Sequence, residues 1–290
     1  TTEVPAHSGP YSLTEWTPKQ QIVFTPNPSW TGAPQAFDEI RVIPIEDTAR
    51  AELAFQAGDL DFSLLTLSTL GQYRSAGAPA GTKIIDMPSL AYVWLGMNIE
   101  NPALSDIRVR KAIQRAVDVP AVVEAAYFGV AVPSTGIIAD TLPGHRASAV
   151  TRDLDESRRL LDEAGVSGLS LTLDCGVDTQ SVTAAQIIQA SLAETGIEVT
   201  INQRDSATFW TLGDESAGEQ WKDVQLILNR FTMTPDPFYA TEWFTCAQVG
   251  VWNWERFCNP EFDRLHAAAL REKDLQKRAE MYVRMQDLME

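Results

Sequence analysis

Alternating polar and apolar positions near the start of the chain predict antiparallel strands. The segments "GPYSLTEW" and "QIVFTPN" alternate with a period of two, and "TPKQ" between them contains the turn-favouring Pro18. "FDEIRVIPI" and "DLDFSLL" predict two further strands, separated by a helix, "EDTARAELAFQAG", that ends at Gly58. A short helix is expected near residues 67–75. The segment "SAGAPAGT" then predicts a domain boundary near residue 80.

Beyond residue 80 the hydrophobic pattern alternates between strands and helices. Apolar runs predict four strands: "LAYVWLGMN", "LSLTLDC", "IEVTINQ" and "DVQLILNR". Two helices carry boundary signals, because Ser105 or Asp106 begins "SDIRVRKAIQRAVD" and Gly129 ends "PAVVEAAYFG". Helical patterns also cover "DLDESRRLLDEAG", "TAAQIIQASLAETG", "NPEFDRLHAAALRE" and "KDLQKRAEMYVRMQDLME". This alternation predicts an α/β domain of about 200 residues.

The composition argues against several classes of protein. With 44% hydrophobic and 21% charged residues, the 290-residue chain can bury a core, and its length suits two domains. A net charge of −16 argues against nucleic acid and anionic membrane surfaces as partners. No apolar run approaches the roughly 20 residues that span a bilayer, so direct membrane insertion is not expected. The chain starts without Met or a signal-peptide pattern, and we expect a processed sequence or part of a longer one.

Two of the three cysteines, Cys246 and Cys258, stand at the ends of the segment "CAQVGVWNWERFC". A disulfide between them would stabilise the fold by about 3 kcal/mol in the chain-entropy model. A zinc site is one alternative, although His266 stands alone and no second cysteine pair is present. Two unrelated buried thiols are another. We favour the disulfide, which implies an oxidising compartment, and we expect Cys175 to be a buried free thiol.

No catalytic motif is visible in the sequence. It contains no glycine-rich nucleotide motif, no H-E-x-x-H motif and no G-x-S-x-G motif, and its three histidines are scattered. Neighbouring acids, as in "EFD" or "GDLD", keep open the alternative of a secreted hydrolase with a carboxylate pair. A purely structural module is a third hypothesis. We expect a binding protein that is not an enzyme and uses no cofactor and no metal.

Aromatic and charged residues are concentrated between residues 228 and 258. Flat rings with a few fixed charges are what an apolar ligand cleft needs. The candidates for ligand contact are Arg230, Phe231, Asp236, Trp243, Trp252 and Trp254. Core packing is the alternative for the rings. In a strand, Trp252 and Trp254 would share one face, and that face could be buried.

Several longer segments together resemble a known family. "SGPYSLTEWTPKQQIVFTPNPSW" is similar to a Gly-Pro-Tyr strand followed by an Asn-Pro-x-aromatic turn, and "FDEIRVIPIEDTARAELAFQAGDLD" to a strand and helix followed by Gly-acid-Leu-Asp. "SDIRVRKAIQRAVD" and "CNPEFDRLHAAA" are similar to two helix starts, and "FYATEWFTC" with "NWERFC" to two cysteine-containing segments. These segments, in this order, resemble the peptide/nickel group of the solute-binding proteins of ABC importers.

The resemblance implies an α/β fold with the two-lobed, type II-like architecture of periplasmic binding proteins, in which helices flank mixed sheets. Residues 1–80 would form part of an incomplete, β-rich first lobe, and residues 81–290 the second lobe. The implied function is the capture of a small peptide-like solute in the interlobe cleft and its delivery to the membrane permease of an ABC importer. The implied location is the periplasm, and the resemblance also implies the Cys246–Cys258 disulfide. We expect a monomer.

Two departures from the family bear on the ligand. Peptide-binding members hold the ligand α-amine with an aspartate in the segment that here reads "TMTPDPFYA", and both Asp236 and Thr234 are candidates for that position. Members also bind the ligand carboxylate with an arginine after the strand equivalent to "LTLDC", where this chain has Asp178 and no arginine. We therefore expect a ligand that is longer, capped or not a peptide, and the few histidines give no support to nickel. Arg256 is expected to support the fold.

Overall fold

Two units, Thr1–Lys83 and Ile84–Glu290, make up the computed structural model. The structure describes residues 8–45, 47–87, 89–147 and 150–290. The first seven residues of the predicted first lobe lie outside the described residues.

The described residues form seven strands and ten α-helices. The strands are β1 (Tyr11–Thr17), β2 (Gln21–Pro26), β3 (Ile40–Val42), β4 (Ala91–Met97), β5 (Ser170–Gly176), β6 (Glu198–Arg204) and β7 (Leu226–Thr232). The helices are α1 (Thr48–Ala57), α2 (Leu67–Ala76), α3 (Ile107–Ala116), α4 (Val119–Tyr127), α5 (Leu154–Glu163), α6 (Thr179–Ala193), α7 (Ser206–Phe209), α8 (Pro237–Glu242), α9 (Pro260–Ala269) and α10 (Leu275–Asp287).

The first unit contains an antiparallel sheet in the order β1-β2-β3, and the helices α1 and α2. The predicted turn joins β1 to β2, and Gly58 ends α1 at φ 85°, a conformation that glycine adopts without strain. The fourth predicted strand, in "DLDFSLL", is wrong. A strand needs a neighbour for its backbone hydrogen bonds, and residues 59–65 have none within the described sheet.

The second unit is built on a four-stranded mixed sheet in the order β4-β7-β5-β6. β4 runs antiparallel to β7 over its whole length, whereas β5 is parallel to both β6 and β7. The predicted helix boundaries are confirmed at α3 and α4. The Asp106 carboxylate accepts a hydrogen bond from the Arg108 amide at 2.8 Å, and Gly129 follows α4 at φ 68°.

One face of this sheet packs against α3, α4, α5 and α6. The strand side chains that point to this face are aliphatic or small, and they join the helices in one buried cluster. They include Val93, Leu95, Leu171, Leu173, Cys175, Val199, Leu226 and Leu228. We call this side of the sheet the helical face.

The opposite face carries aromatic side chains from β4 and packs near α8, α9 and α10. Tyr92 and Trp94 contact a buried cluster that contains Trp243, Phe244 and Phe262. We call this side the aromatic face. The helix α8 was not predicted, because "TPDPFYATE" has the proline content of a turn. Its start nevertheless follows a recognised pattern, with an acidic cap followed by Pro237 as the first helical residue.

None of the described helices is both long and apolar enough to cross a membrane. The described residues also contain no cluster of three or more histidine, cysteine or acidic side chains that could hold a metal ion.

Candidate functional site

Three rings at the end of β7 and in the segments that follow form a partly exposed apolar surface. The ring centre of Trp243 lies 4.5 Å from that of Phe231 and 5.6 Å from that of Trp252. Phe231 and Trp252 are 36% and 44% exposed, whereas Trp243 between them is 8% exposed. We call Phe231, Trp243 and Trp252 the aromatic surface. It offers an apolar ligand two accessible rings held by a buried one.

Two rings on β4 extend this surface into the sheet. Tyr92 lies directly opposite Phe231 in the ladder, and its ring stacks on Trp94 with centres 5.2 Å apart. Trp94 meets Trp243 edge to face at 5.9 Å. Burial, and to a lesser extent the nearby Glu255 carboxylate, raise the pKa of Tyr92 above its ordinary value. Neither ring is among the predicted contacts, because "LAYVWLGMN" indicates only an apolar strand; the signal in the sequence is that residues two apart in a strand share a face.

A disulfide closes the segment that carries Trp252. Cys246 and Cys258 are bonded, as predicted. The Cys246 amide also donates to the Asp263 carboxylate of α9 at 3.0 Å. Inside the loop the buried Asn253 side chain donates to the carbonyl oxygens of Thr245 and Phe257, at 3.2 and 2.7 Å. These covalent and polar links fix the backbone on both sides of Trp252.

Trp252 and Trp254 do not share a face, whereas core packing, the alternative to ligand contact, is confirmed for Trp254. Residues 251–255 form turns around an isolated bridge between Val249 and Asn253 instead of a strand, so the period of two does not apply. Trp254 is 2% exposed, its indole N–H donates to the Val251 carbonyl at 2.9 Å, and its ring lies 5.7 Å from Phe209. A side chain at Gly213 would collide with this indole. Trp254 is therefore a packing residue.

Arg256 has a structural role, as predicted. Its side chain is buried, and its Nε donates to Glu100 Oε2 at 2.6 Å. Its Nη1 lies 2.8 Å from Glu215 Oε1 as an ion pair that lacks hydrogen-bond geometry. The guanidinium carbon lies 3.8 Å from the centre of the Trp221 ring. Arg256 thus ties the disulfide loop to three other segments.

Asp236, the predicted amine anchor, already has partners within the chain. Its carboxylate accepts the Phe238 amide at 2.9 Å and both terminal nitrogens of Arg278, at 2.8 and 3.0 Å. Burial alone raises the pKa of Asp236, but Arg278 and the Phe238 amide outweigh it and hold this pKa below its ordinary value. A solute amine at this carboxylate would have to displace Arg278. The anchoring role of Asp236 stays a prediction.

The other two polar candidates differ in position. The hydroxyl oxygen of Thr234 is buried and has no hydrogen-bond partner in the part of the chain that the structure describes. Arg230 pairs with Val93 across the sheet and therefore lies on the helical face, opposite to Phe231. Burial raises the pKa of the half-buried Tyr127 phenol of α4, and the charge of Arg230 offsets part of that rise. The structure therefore does not bring Arg230 to the aromatic surface.

The remaining predicted groups have ordinary structural roles. In the acidic pair of "EFD", Glu261 accepts Arg284 Nε at 3.1 Å, and Asp263 accepts the Cys246 amide. This pair therefore consists of two bonded structural acids, which does not favour a hydrolase. Cys175 is a buried free thiol, as predicted, and burial raises its pKa to about 11.

An accessible set of rings beside the carboxyl-terminal end of a strand in a mixed sheet, one of them on a loop closed by a disulfide, is typical of proteins that bind small solutes. The chain belongs to the bacterial extracellular solute-binding proteins, family 5, whose middle-region model matches residues 1–250. This finding confirms the family resemblance seen in the sequence.

Individual relatives share moderate identity with the chain. It is 28% identical to the dipeptide-binding protein of Escherichia coli over 71% of this chain and 39% of that protein. It is 24% identical to the glutathione-binding protein of Salmonella paratyphi A over 98% of this chain and 57% of that protein. The chain thus spans about half the length of the curated relatives it matches.

Solved structures confirm the predicted fold. A periplasmic binding protein of Helicobacter pylori in complex with peptide STSA matches with a TM-score of 0.77 and 22% identity, over 97% of this chain and 55% of that one. The fold is therefore the α/β fold of periplasmic binding proteins, and the match covers about half of the larger structure.

Proposed function

We propose that the chain is part of the solute-binding component of an ABC importer, which captures a peptide-like solute and delivers it to a membrane permease. Family membership supports the class of function. The relatives named for dipeptide and glutathione, and the fold neighbour with a bound peptide, support a peptide-like solute. The observation that carries the proposal is the aromatic surface itself, because it stays accessible while its supports are buried.

We propose that Phe231, Trp243 and Trp252 contact the apolar part of the solute. Rings of this kind supply a large contact area at a low cost in side-chain entropy. The Thr234 hydroxyl is the proposed polar contact, since it is buried without a hydrogen-bond partner among the described residues and follows Phe231 by three positions. Trp254 is not included, and Arg230 and Asp236 stay predictions from sequence.

The supports of the aromatic surface favour a site that is organised before the solute arrives. The disulfide, the three hydrogen bonds of Asn253 and the contacts of Arg256 restrict the loop on either side of Trp252. Preorganisation reduces the entropy lost on binding. The disulfide also supports an extracytoplasmic location, where such bonds persist.

Calorimetry and native mass spectrometry of the full-length protein test this function. Native mass spectrometry of protein purified from its own cells identifies retained solutes, and calorimetry then gives their affinities. We expect Trp252→Ala to weaken binding at least tenfold, about 1.4 kcal/mol. The matched control is Leu275→Ala, which removes an exposed apolar side chain from the start of α10. Equal affinity in both variants, or conversion of the solute into a product, would contradict the proposal.

A further inference from the structure

One acidic side chain on the aromatic face has no cationic partner. Glu255 Oε1 accepts the indole N–H of Trp94 at 2.7 Å. The carboxyl group rests on the backbone of β4, where any side chain at Gly96 would collide with Oε1. The residue as a whole is partly exposed, whereas its carboxyl group is buried against the sheet.

Three other acids of this region are neutralised within the chain. Asp236 binds Arg278, and both Glu100 and Glu215 pair with Arg256. Although Arg256 is the next residue in sequence, its guanidinium lies with those two acids and not with Glu255. Among the described residues no cation pairs with the Glu255 carboxyl group.

An unpaired carboxylate in contact with the sheet lowers the stability of the folded protein. Burial raises the pKa of Glu255, and the Trp94 hydrogen bond offsets only part of that effect. A poorly hydrated carboxylate is destabilising unless a cation and hydrogen bonds compensate for its lost hydration. A cation supplied from outside the chain would provide that compensation.

The rings beside Glu255 suit a cation as well. Trp94 donates to the carboxyl group and stacks on Tyr92, and the faces of such rings attract ammonium groups. Trp94 also contacts Trp243, the buried ring of the aromatic surface. The carboxyl group is thus linked through one ring to the exposed Phe231 and Trp252.

We propose that Glu255 is the counter-ion for a positively charged amine of the solute, bound beside the rings of Tyr92 and Trp94. This inference rests on the proposed function and narrows it to solutes that carry an ammonium group. It assigns the charge contact to Glu255, whose carboxyl group lacks a cation, rather than to Asp236, which already binds Arg278.

Binding of two matched libraries by the full-length protein tests the assignment. One contains tripeptides with free amino termini, and the other contains the same tripeptides N-acetylated. Native mass spectrometry identifies retained peptides, and calorimetry measures the best pair. We expect the free amine to bind at least about tenfold more tightly than its acetylated form. Glu255→Gln should reduce this preference to less than about twofold, whereas the matched control Glu242→Gln should keep it.

Each further outcome decides a different claim. A wild-type protein that binds both forms equally would overturn the role of Glu255 and leave the proposed function standing. Loss of the preference in Asp236→Asn, with retention in Glu255→Gln, would also overturn it. A protein that retains neither library would contradict the peptide-like function itself. If Glu255→Gln does not fold, Glu255→Asp keeps the charge on a shorter side chain, and an unchanged amine preference in that variant would count against the proposal.

Discussion

The two faces of the sheet in the Ile84–Glu290 unit are held by different kinds of interaction. The helical face packs aliphatic side chains of β5 and β7 against helices, and such contacts need only the right volume and pattern. The aromatic face adds a disulfide, the Asp236–Arg278 pair and the buried polar groups of Asn253 and Arg256. Polar links of this kind fix directions as well as distances. The comparison indicates that the helical face provides stability, while the aromatic face positions a small number of rings.

Leu173→Ala should have the largest effect on stability. Leu173 lies fully buried on β5 within the core of the helical face. Truncation leaves a cavity, and we expect a loss of about 3 kcal/mol in the free energy of unfolding. Urea denaturation measures this loss. The control is Val177→Ala, since Val177 is exposed just beyond the same strand, and we expect it to change the free energy of unfolding by less than about 0.5 kcal/mol. Solute affinity of the folded variant should stay the same. A loss of affinity in the folded variant would show that the helical face also positions the binding site, and would contradict the different roles assigned to the two faces.

Replacing both disulfide cysteines with serine should have an effect of similar or slightly smaller size. The cross-link between Cys246 and Cys258 spans 12 positions in sequence, and the chain-entropy model gives about 3 kcal/mol for a loop of this size. In contrast to Leu173→Ala, this variant should also bind solute more weakly, because the loop around Trp252 becomes less restricted. Calorimetry on folded protein separates the two effects. Affinity equal to that of the wild type would show that the disulfide is not needed to position Trp252.

The contrast between the two faces also explains which parts of the fold and of the candidate site could be predicted from the sequence. The strands β4, β5, β6 and β7 were predicted because periodic apolar runs report burial locally. The roles of Trp252 and Trp254 were not, because a turn places the first at the surface and the second in the core. The partner of Asp236 lies 42 positions away, and the Trp94–Glu255 contact spans 161 positions. Such contacts depend on the tertiary fold and leave no local pattern in the sequence.

Asp236→Asn should lower stability by about 1 kcal/mol. The change weakens the paired bonds to Arg278, and partial exposure of both side chains limits the contribution of their charges. Because the pKa of Asp236 is lowered in the folded state, its contribution is present above the unfolded-state pKa of about 3.9 and is lost as pH falls through the folded-state value. The difference between variant and wild type should therefore shrink in acid. Urea denaturation at several pH values, with Arg278→Gln and the double mutant, measures the coupling. Additive losses from the two single changes would show that the pair contributes nothing.

Glu255→Gln should produce the smallest change, and one of opposite sign. The amide oxygen of Gln can still accept the Trp94 indole N–H, while the poorly hydrated charge is removed, so we expect the unliganded protein to gain less than about 1 kcal/mol at neutral pH. The folded-state pKa of Glu255 is raised, so the wild-type side chain destabilises progressively as pH rises from the unfolded-state value of about 4.3 through the folded-state value. The gain in stability of the variant over the wild type should grow across that interval and level off above it.

Tyr92, whose pKa is raised, does not ionise in that interval, so it leaves the profile unchanged. Unfolding curves of both proteins from pH 3 to pH 8 give the profile. A constant difference over that range would mean that Glu255 does not titrate there, and a Glu255→Gln protein less stable than the wild type at neutral pH would show that its charge is already compensated within the fold.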